Sequence, residues 1–253
     1  MSEYSSTELM ICVAARQMED NTTAFIGTGM PMLAASLAQR LYAPNLIVVF
    51  EFGGTGALLE DLPLAVGEAR TFHKALAASG ICDIMETAQR GFIDYGFLGG
   101  AQIDMYGNLN STVIGDYRKP KVRLPGSGGG NDVGSFCWKT IALMRHDSRR
   151  FVQACDFITT PGYLTGPGAR EEAGLPRGTG PIAVVSTLAK LGYDKETCRM
   201  RLDAVYPGVT VEQVIENTGF ELLIAGDVGE IEPPTDEELR TLRDEIDPQR
   251  LYI

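Results

Sequence analysis

The stretch AFIGTGMPMLAASLAQRLYAPNLIVVF, residues 24–50, constrains the fold more than any other part of the chain. A short apolar run, AFI, breaks at Gly27 and Gly29. Pro31 then opens a run with Ala34, Leu37 and Leu41 at helical spacing. Pro44 and Asn45 turn the chain into a second apolar run, residues 46–50, which has the composition of a buried strand. Strand, glycine turn, helix and strand in that order specify parallel strands joined by a helix. The pattern predicts an α/β protein with an open, mainly parallel sheet and helices on both faces.

Other elements follow from the same rules. Residues 6–18 predict a helix capped by Ser6 or Thr7, with Leu9, Cys12, Val13 and Met18 on its apolar face. A helix is expected from Asp83, and strands at residues 95–98, 150–157 and 182–186. Residues 163–180, rich in Gly and Pro, predict a long ordered loop. Near the end, Thr235 with Glu238 three residues on is a capping box, and Leu239, Leu242 and Ile246 share one face before Pro248. That helix reads as acidic, solvated and without chemistry. No repeat or linker divides the chain, so one domain over residues 1–253 is expected.

Charge and reactive residues narrow the function. The formal net charge of -11 disfavours nucleic acid and anionic membrane as partners. No run of about 18 apolar residues occurs, and the first residues lack a basic, then apolar, signal pattern. Five scattered cysteines without CxxC spacing read as reduced thiols in a cytoplasm. With two histidines, His73 and His146, no metal site is expected, and both read as surface or helix-end residues. Cys82 and Cys137 read as core residues, and Trp138 as core or subunit interface. The basic run Tyr117 to Arg123 reads as a solvated or interface loop, or as a contact for anionic groups of a substrate.

Four glycine-bearing segments stand out: GTGMP (27–31), EFGGTG (51–56), GGAQIDMYGNLNSTVIGD (99–116) and GSGGGND (126–132). None matches a nucleotide-phosphate fingerprint. Loops after parallel strands form ligand crevices in such sheets. Glu51, at the end of a predicted buried strand, is either a solvated or paired carboxylate or a nucleophile or general acid/base. Gly53 and Gly54 would clear space for a substrate carbonyl, and glycine N–H groups there and in GSGGG could bind an oxyanion.

Taken together, YAPNLIVVFEFG (42–53), residues 99–132, TTPGYLTGPGAREEAGLP (159–176), YPGVTVEQVIENTGF (206–220) and RDEIDP (243–248) resemble the B-type subunits of the family I CoA-transferases. The resemblance runs over nearly the whole chain. It implies the open α/β fold, a separately encoded A-type subunit in a heterotetramer or hetero-octamer, and acyl-CoA and a glutaconate-like dicarboxylate as substrates. It implies no permanently bound cofactor. It places the family's catalytic glutamate at Glu51 and the oxyanion or acyl-CoA loop at Gly53, Gly54, Gly126, Gly128 and Gly129. Gly99, Gly100, Gln102, Asp104 and Asn108 are shared as supporting residues without an individual role. Phe52 departs from the family's usual serine, which bears on the substrate rather than the nucleophile.

The implied reaction forms an acyl-glutamyl anhydride on Glu51 and then a glutamyl-CoA thioester. Two other readings stay open. One is an acyl-CoA hydrolase, ring-opening enzyme or decarboxylase of the same fold using Glu51 as a base. The other is a non-catalytic scaffold subunit.

Overall fold

The structure, a computed structural model, describes residues 3–253. The chain packs into two compact units, one of residues up to Phe97 together with Pro233–Ile253, the other Leu98–Glu232.

In the first unit, α1 (Ser6–Ala15) is capped by Ser5, one residue before the earlier of the two predicted caps, and ends three residues short of the predicted end. Ser5 Oγ accepts the Glu8 N–H at 3.2 Å, and the Glu8 carboxylate accepts the Ser5 N–H at 2.8 Å. All residues from Glu8 to Ala15 are buried, as an almost wholly apolar helix requires. Strand β1 (Thr23–Phe25) leads through Gly29, at φ +87°, into α2 (Met30–Leu41), with Pro31 in its first turn. Strand β2 (Ile47–Val49) returns parallel to β1. The short β3 (Gly54–Thr55) and β4 (Ala77–Ala78) then run antiparallel. Helix α3 (Ile81–Gln89) carries the chain to β5 (Tyr95–Leu98), parallel to β1. The strand order is β5-β1-β2-β3-β4.

The second unit starts with two small hairpins, β6 (Gln102–Ile103) with β7 (Leu109–Asn110), and β8 (Val113–Gly115) with β9 (Pro120–Arg123). After α4 (Gly130–Phe136) come β10 (Lys139–Met144), the single turn α5 (Ala169–Glu172), β11 (Gly180–Ser186), β12 (Ala189–Tyr193), β13 (Met200–Val205), α6 (Val211–Glu216) and β14 (Leu223–Glu230). The order is β14-β13-β12-β11-β10, parallel at β10–β11 and β13–β14 and antiparallel between. Its core gathers Ile103, Phe151, Val184, Leu191, Leu202 and Val214. Each unit is α/β with parallel strand pairs, the class the sequence predicts, and each also carries antiparallel pairs.

The strand predicted at 150–157 does not form. Ile103 donates to Arg150 O at 2.7 Å and accepts from the Val152 N–H at 2.9 Å, a single bridge around Phe151. Beyond the bridge, the Asp156 N–H donates to the Gln102 side-chain oxygen at 3.0 Å rather than to a neighbouring strand. Residues 163–180 form the expected loop, interrupted by α5.

The first unit is completed by α7 (Asp236–Arg240), which runs into a wider turn at Thr241–Ile246. The Thr235–Glu238 capping box is present. Contrary to the solvated reading, Glu238 is 0% exposed. Arg16 forks onto it, Nε to Oε1 at 2.8 Å and an Nη to Oε2 at 2.6 Å, and Tyr42 Oη also donates to it. Burial pushes the Glu238 carboxyl up, but these hydrogen bonds outweigh it and hold the group below its ordinary value. A second pair, Arg243 with Glu8, fastens the same helix to α1. Among the described residues, no helix is long and apolar enough to cross a membrane.

Candidate functional site

Glu51 does not end a strand that opens on a crevice; it sits at the tip of a hairpin. The Gly53 N–H donates to Phe50 O at 3.0 Å, closing a turn. The Phe50 N–H donates to Gly54 O at 2.8 Å, and Val49 pairs with Thr55. Gly53 has φ +117°, a backbone state that side chains rarely adopt. The carboxylate of Glu51 is partly exposed and, among the described residues, makes no hydrogen bond or ion pair.

The glycines after it have a structural cause. A Cβ on Gly53 would lie 1.9 Å from the Ser79 carbonyl oxygen, and one on Gly54 would lie 2.0 Å from that of Thr71. The space they vacate is filled by the protein's own backbone, and the Gly53 N–H is already used in the turn. Phe52 is 48% exposed, and its ring lies over Gly67, where a Cβ would come within 3.2 Å of it.

In the second unit, the predicted supporting residues form one buried network. Asp104 accepts the N–H groups of Tyr106 and Asn108 at 3.0 and 3.1 Å and the Asn108 side-chain amide at 2.9 Å. Burial raises the Asp104 carboxyl despite these donors. Asn108, 1% exposed, accepts from the Gly162 and Leu164 N–H groups at 2.9 and 3.1 Å and donates to Leu164 O at 2.8 Å. It thereby clasps the Gly-Pro loop. Gln102 bonds Asn110 at 2.6 Å and both the N–H and carboxylate of Asp156. Gly100 lies where a Cβ would crowd the Asn110 and Gln102 carbonyls at 3.2 Å, and Gly99 approaches Leu143 O. The side chains of Gln102, Asp104 and Asn108 are all paired internally, so this network shapes loops.

The GSGGG segment leads into α4. Gly126, at φ +99°, donates to Ser111 O at 2.8 Å, and Ser127 Oγ accepts the Asn131 N–H at 3.0 Å. The N–H groups of Gly128 and Gly129 make no hydrogen bond among the described residues.

One residue of this region carries no local sequence signal. Arg170, 2% exposed, has no carboxylate partner. It donates to the carbonyls of Pro161, Gly162, Gly134 and Ser135 and to Thr179 Oγ1, at 2.7 to 3.2 Å. Gly134 and Ser135 lie in the last turn of α4, so the guanidinium anchors the end of the helix that follows the glycine loop. An arginine in a Gly-Pro-rich loop predicts exposure; only the fold brings these carbonyls around it.

Other expectations are corrected. His146 is buried, with Nδ1 2.8 Å from Ser186 Oγ and Nε2 3.0 Å from Thr218 Oγ1, and it stacks on Phe151 at 3.9 Å. Burial lowers its pKa to about 4. His73 is on the surface, beside Glu60. Cys82 is exposed rather than core, and Cys137 is buried. Burial pushes the Cys12 thiol up to about 12, and burial likewise raises Cys155, so neither is a ready nucleophile. Trp138 is 41% exposed. A cavity of about 520 Å³ opens in the first unit at the opposite end of β2 from Glu51, between Thr22, Asn45, Ile47, Leu58 and Leu76.

The profile of the family described as Coenzyme A transferase matches residues 7–217. The chain is 38% identical to the B-type subunit of the glutaconate CoA-transferase of Acidaminococcus fermentans, over 257 residues covering 100% of this chain and 96% of the relative. It is 39% identical to the B-type subunit of the 3-oxoadipate CoA-transferase of Pseudomonas knackmussii, over 244 residues covering 96% and 94% of the two chains. Its fold matches the crystal structure of glutaconate coenzyme A-transferase from Acidaminococcus fermentans with a TM-score of 0.94, at 37% identity, over 99% and 98% of the chains.

Proposed function

The chain belongs to the coenzyme A transferase family, and we propose that it is the B-type subunit of an enzyme that moves CoA between carboxylic acids through Glu51. The observation that carries the role of Glu51 is its lack of any structural duty. A carboxylate kept for stability is bonded, as Glu238 is; Glu51 is held at a rigid tip with its oxygens free.

The reaction is two acyl exchanges run forward and back. A Glu51 oxygen attacks the thioester carbonyl of an acyl-CoA; the C–S bond breaks and CoA leaves as thiolate, giving a mixed anhydride. The thiolate attacks the glutamyl carbonyl, releasing the first acid as carboxylate and leaving CoA on Glu51 as a thioester. A second carboxylate attacks that thioester, and the steps reverse. Each addition makes an oxyanion, and one well-placed donor is worth about 3 to 4 kcal/mol. The N–H groups of Gly53 and Gly126 already have acceptors, whereas those of Gly128 and Gly129 are free to donate to a substrate. Gly53 and Gly54 then serve the shape of the turn. Gly99, Gly100, Gln102, Asp104 and Asn108 hold loop geometry.

The similarity to the B-type subunits of two CoA-transferases supports an A-type partner in a heterotetramer or hetero-octamer, a glutaconate-like dicarboxylate as the acid, and a cytoplasmic enzyme with no resident cofactor. The family match runs through both compact units, which supports residues 1–253 acting as one CoA-transferase domain.

The test uses the chain assembled with its A-type partner. Acyl-CoA followed by borohydride or hydroxylamine modifies Glu51, as read by peptide mass spectrometry. Glu51→Gln lowers CoA exchange by at least roughly 10³-fold. Full activity in Glu51→Gln with every acyl-CoA tried would sink the nucleophile role. Free CoA released without an acceptor acid would identify a hydrolase instead.

A further inference from the structure

The β8–β9 hairpin concentrates Arg118, Lys119, Lys121 and Arg123, all exposed, against two acids near its tip, Asp116 on the hairpin and Asp156 beside it. Asp116 accepts the N–H groups of Arg118 at 2.8 Å and Lys119 at 2.9 Å, which folds the tip into a tight turn. Among the described residues, none of the four cations makes an ion pair. Arg123 donates to Tyr117 O at 3.0 Å and lies 5.0 Å from the centre of the Tyr117 ring. Most other arginines rest on carboxylates, as Arg201 does on Asp203 and Arg243 on Glu8, and the two exposed ones that do not, Arg177 and Arg250, lie apart in sequence rather than in a cluster. A chain of formal charge -11 that keeps four cations together without neutralising them maintains a local field for an anion.

The hairpin is also held in place. Tyr117 stacks on Phe157 at 5.4 Å, and the Gly115 N–H donates to the Asp156 carboxylate at 2.9 Å. That carboxylate is bound beside the tip turn, where Gln102 also donates to it at 3.1 Å, so its charge is already shared between two donors. Strand pairing continues beyond β9: the Leu124 N–H donates to Thr112 O at 3.0 Å, and the Gly126 N–H to Ser111 O at 2.8 Å. The basic tip and the glycine loop are therefore two ends of one ribbon, separated along it by on the order of 20 Å at strand rise.

We propose that the tip of this hairpin binds the phosphates at the 3′-phosphoadenosine diphosphate end of coenzyme A. The proposal rests on the reading of the chain as a CoA-transferase subunit and assigns that substrate's nucleotide end. Coenzyme A carries its charge at one end and its reacting sulfur at the other, with the pantetheine arm between. The ribbon offers the matching order, cations at one end and free amides of Gly128 and Gly129 at the other. The Arg118 guanidinium supplies a fork for phosphate oxygens, and Lys119 and Lys121 supply point charges. Phe157, 36% exposed beside Tyr117, gives the purine an apolar surface.

The experiment uses the assembled complex with the A-type partner, in wild-type form and as the Lys119→Gln/Lys121→Gln double variant. KM is measured for an acyl-CoA, its 3′-dephospho analogue and its pantetheine analogue, and CoA and adenosine 3′,5′-bisphosphate are titrated calorimetrically. The variant is expected to lose about tenfold or more of the preference for acyl-CoA over the pantetheine analogue, as the loss of charge-assisted contacts predicts. Affinity for adenosine 3′,5′-bisphosphate falls in step. An unchanged preference with unchanged nucleotide affinity overturns the proposal. So does a double variant that folds but fails to assemble with the A-type subunit, since the hairpin is then a subunit contact. If the wild-type complex transfers no CoA, the transferase reading fails instead, and the CoA titrations still decide the hairpin.

Discussion

Replacing Arg16 with Met tests whether the chain's two ends are joined by charge. The substitution leaves the Glu238 carboxylate at 0% exposure without its cation, while Tyr42 and the Thr235 N–H remain as donors. Removing one partner of a buried pair typically costs about 3 to 5 kcal/mol. For a chain of this size that is a fall in Tm of roughly 6 to 20 °C. The control is Arg16→Met/Glu238→Gln: glutamine keeps the capping geometry and the Tyr42 contact but removes the stranded charge, so most of the stability returns. The pH dependence gives a second check. In the native protein the Glu238 carboxyl lies below its unfolded value, so its contribution is full above that value and is lost as pH falls through the folded one. Without Arg16 the burial effect dominates, the sign reverses, and the deficit of the single variant shrinks in acid. Urea denaturation followed by circular dichroism measures all three proteins. Equal destabilisation of the single and double variants would refute the charge argument and leave lost packing as the cause.

His146 gives an acid-linked prediction: its pKa of about 4 lies below the unfolded value, so its stabilisation is full above about pH 6.5 and about 3 kcal/mol is lost as pH falls to 4. The difference in stability between wild type and His146→Gln, followed over that range, should narrow by that amount. Gly53→Ala should be strongly destabilising, because its Cβ would meet the Ser79 carbonyl at 1.9 Å in a positive-φ residue; soluble expression and thermal melting measure it. Asn108→Ala strands the Asp104 carboxylate and the N–H groups of Gly162 and Leu164, with an expected loss of about 2 to 4 kcal/mol and faster proteolysis of the loop after Pro161.

The legible parts of the fold were those whose cause is local. Residues 24–50 show their strand, turn and helix because glycine, proline and apolar spacing act within a few residues. The Thr235 capping box is legible for the same reason. The destination of Glu238 is not, because its partner Arg16 lies 222 positions away. His146 reads as a surface residue until Ser186 and Thr218, 40 and 72 positions on, close over it. At the candidate site, Glu51 stands out in the sequence as a charge closing an apolar run, whereas the reason for Gly53 and Gly54 is not visible there. Nothing in EFGG announces that the backbone at Thr71 and Ser79 will occupy the space those glycines leave.

The tip of that hairpin divides labour unevenly among neighbours. Gly53 and Gly54 are fixed by contacts with distant backbone, so the geometry of the turn survives only if they do. Glu51 supports nothing around it. Its side chain can be exchanged for another while the platform beneath keeps its shape, so a change at this position need not be matched by a new fold.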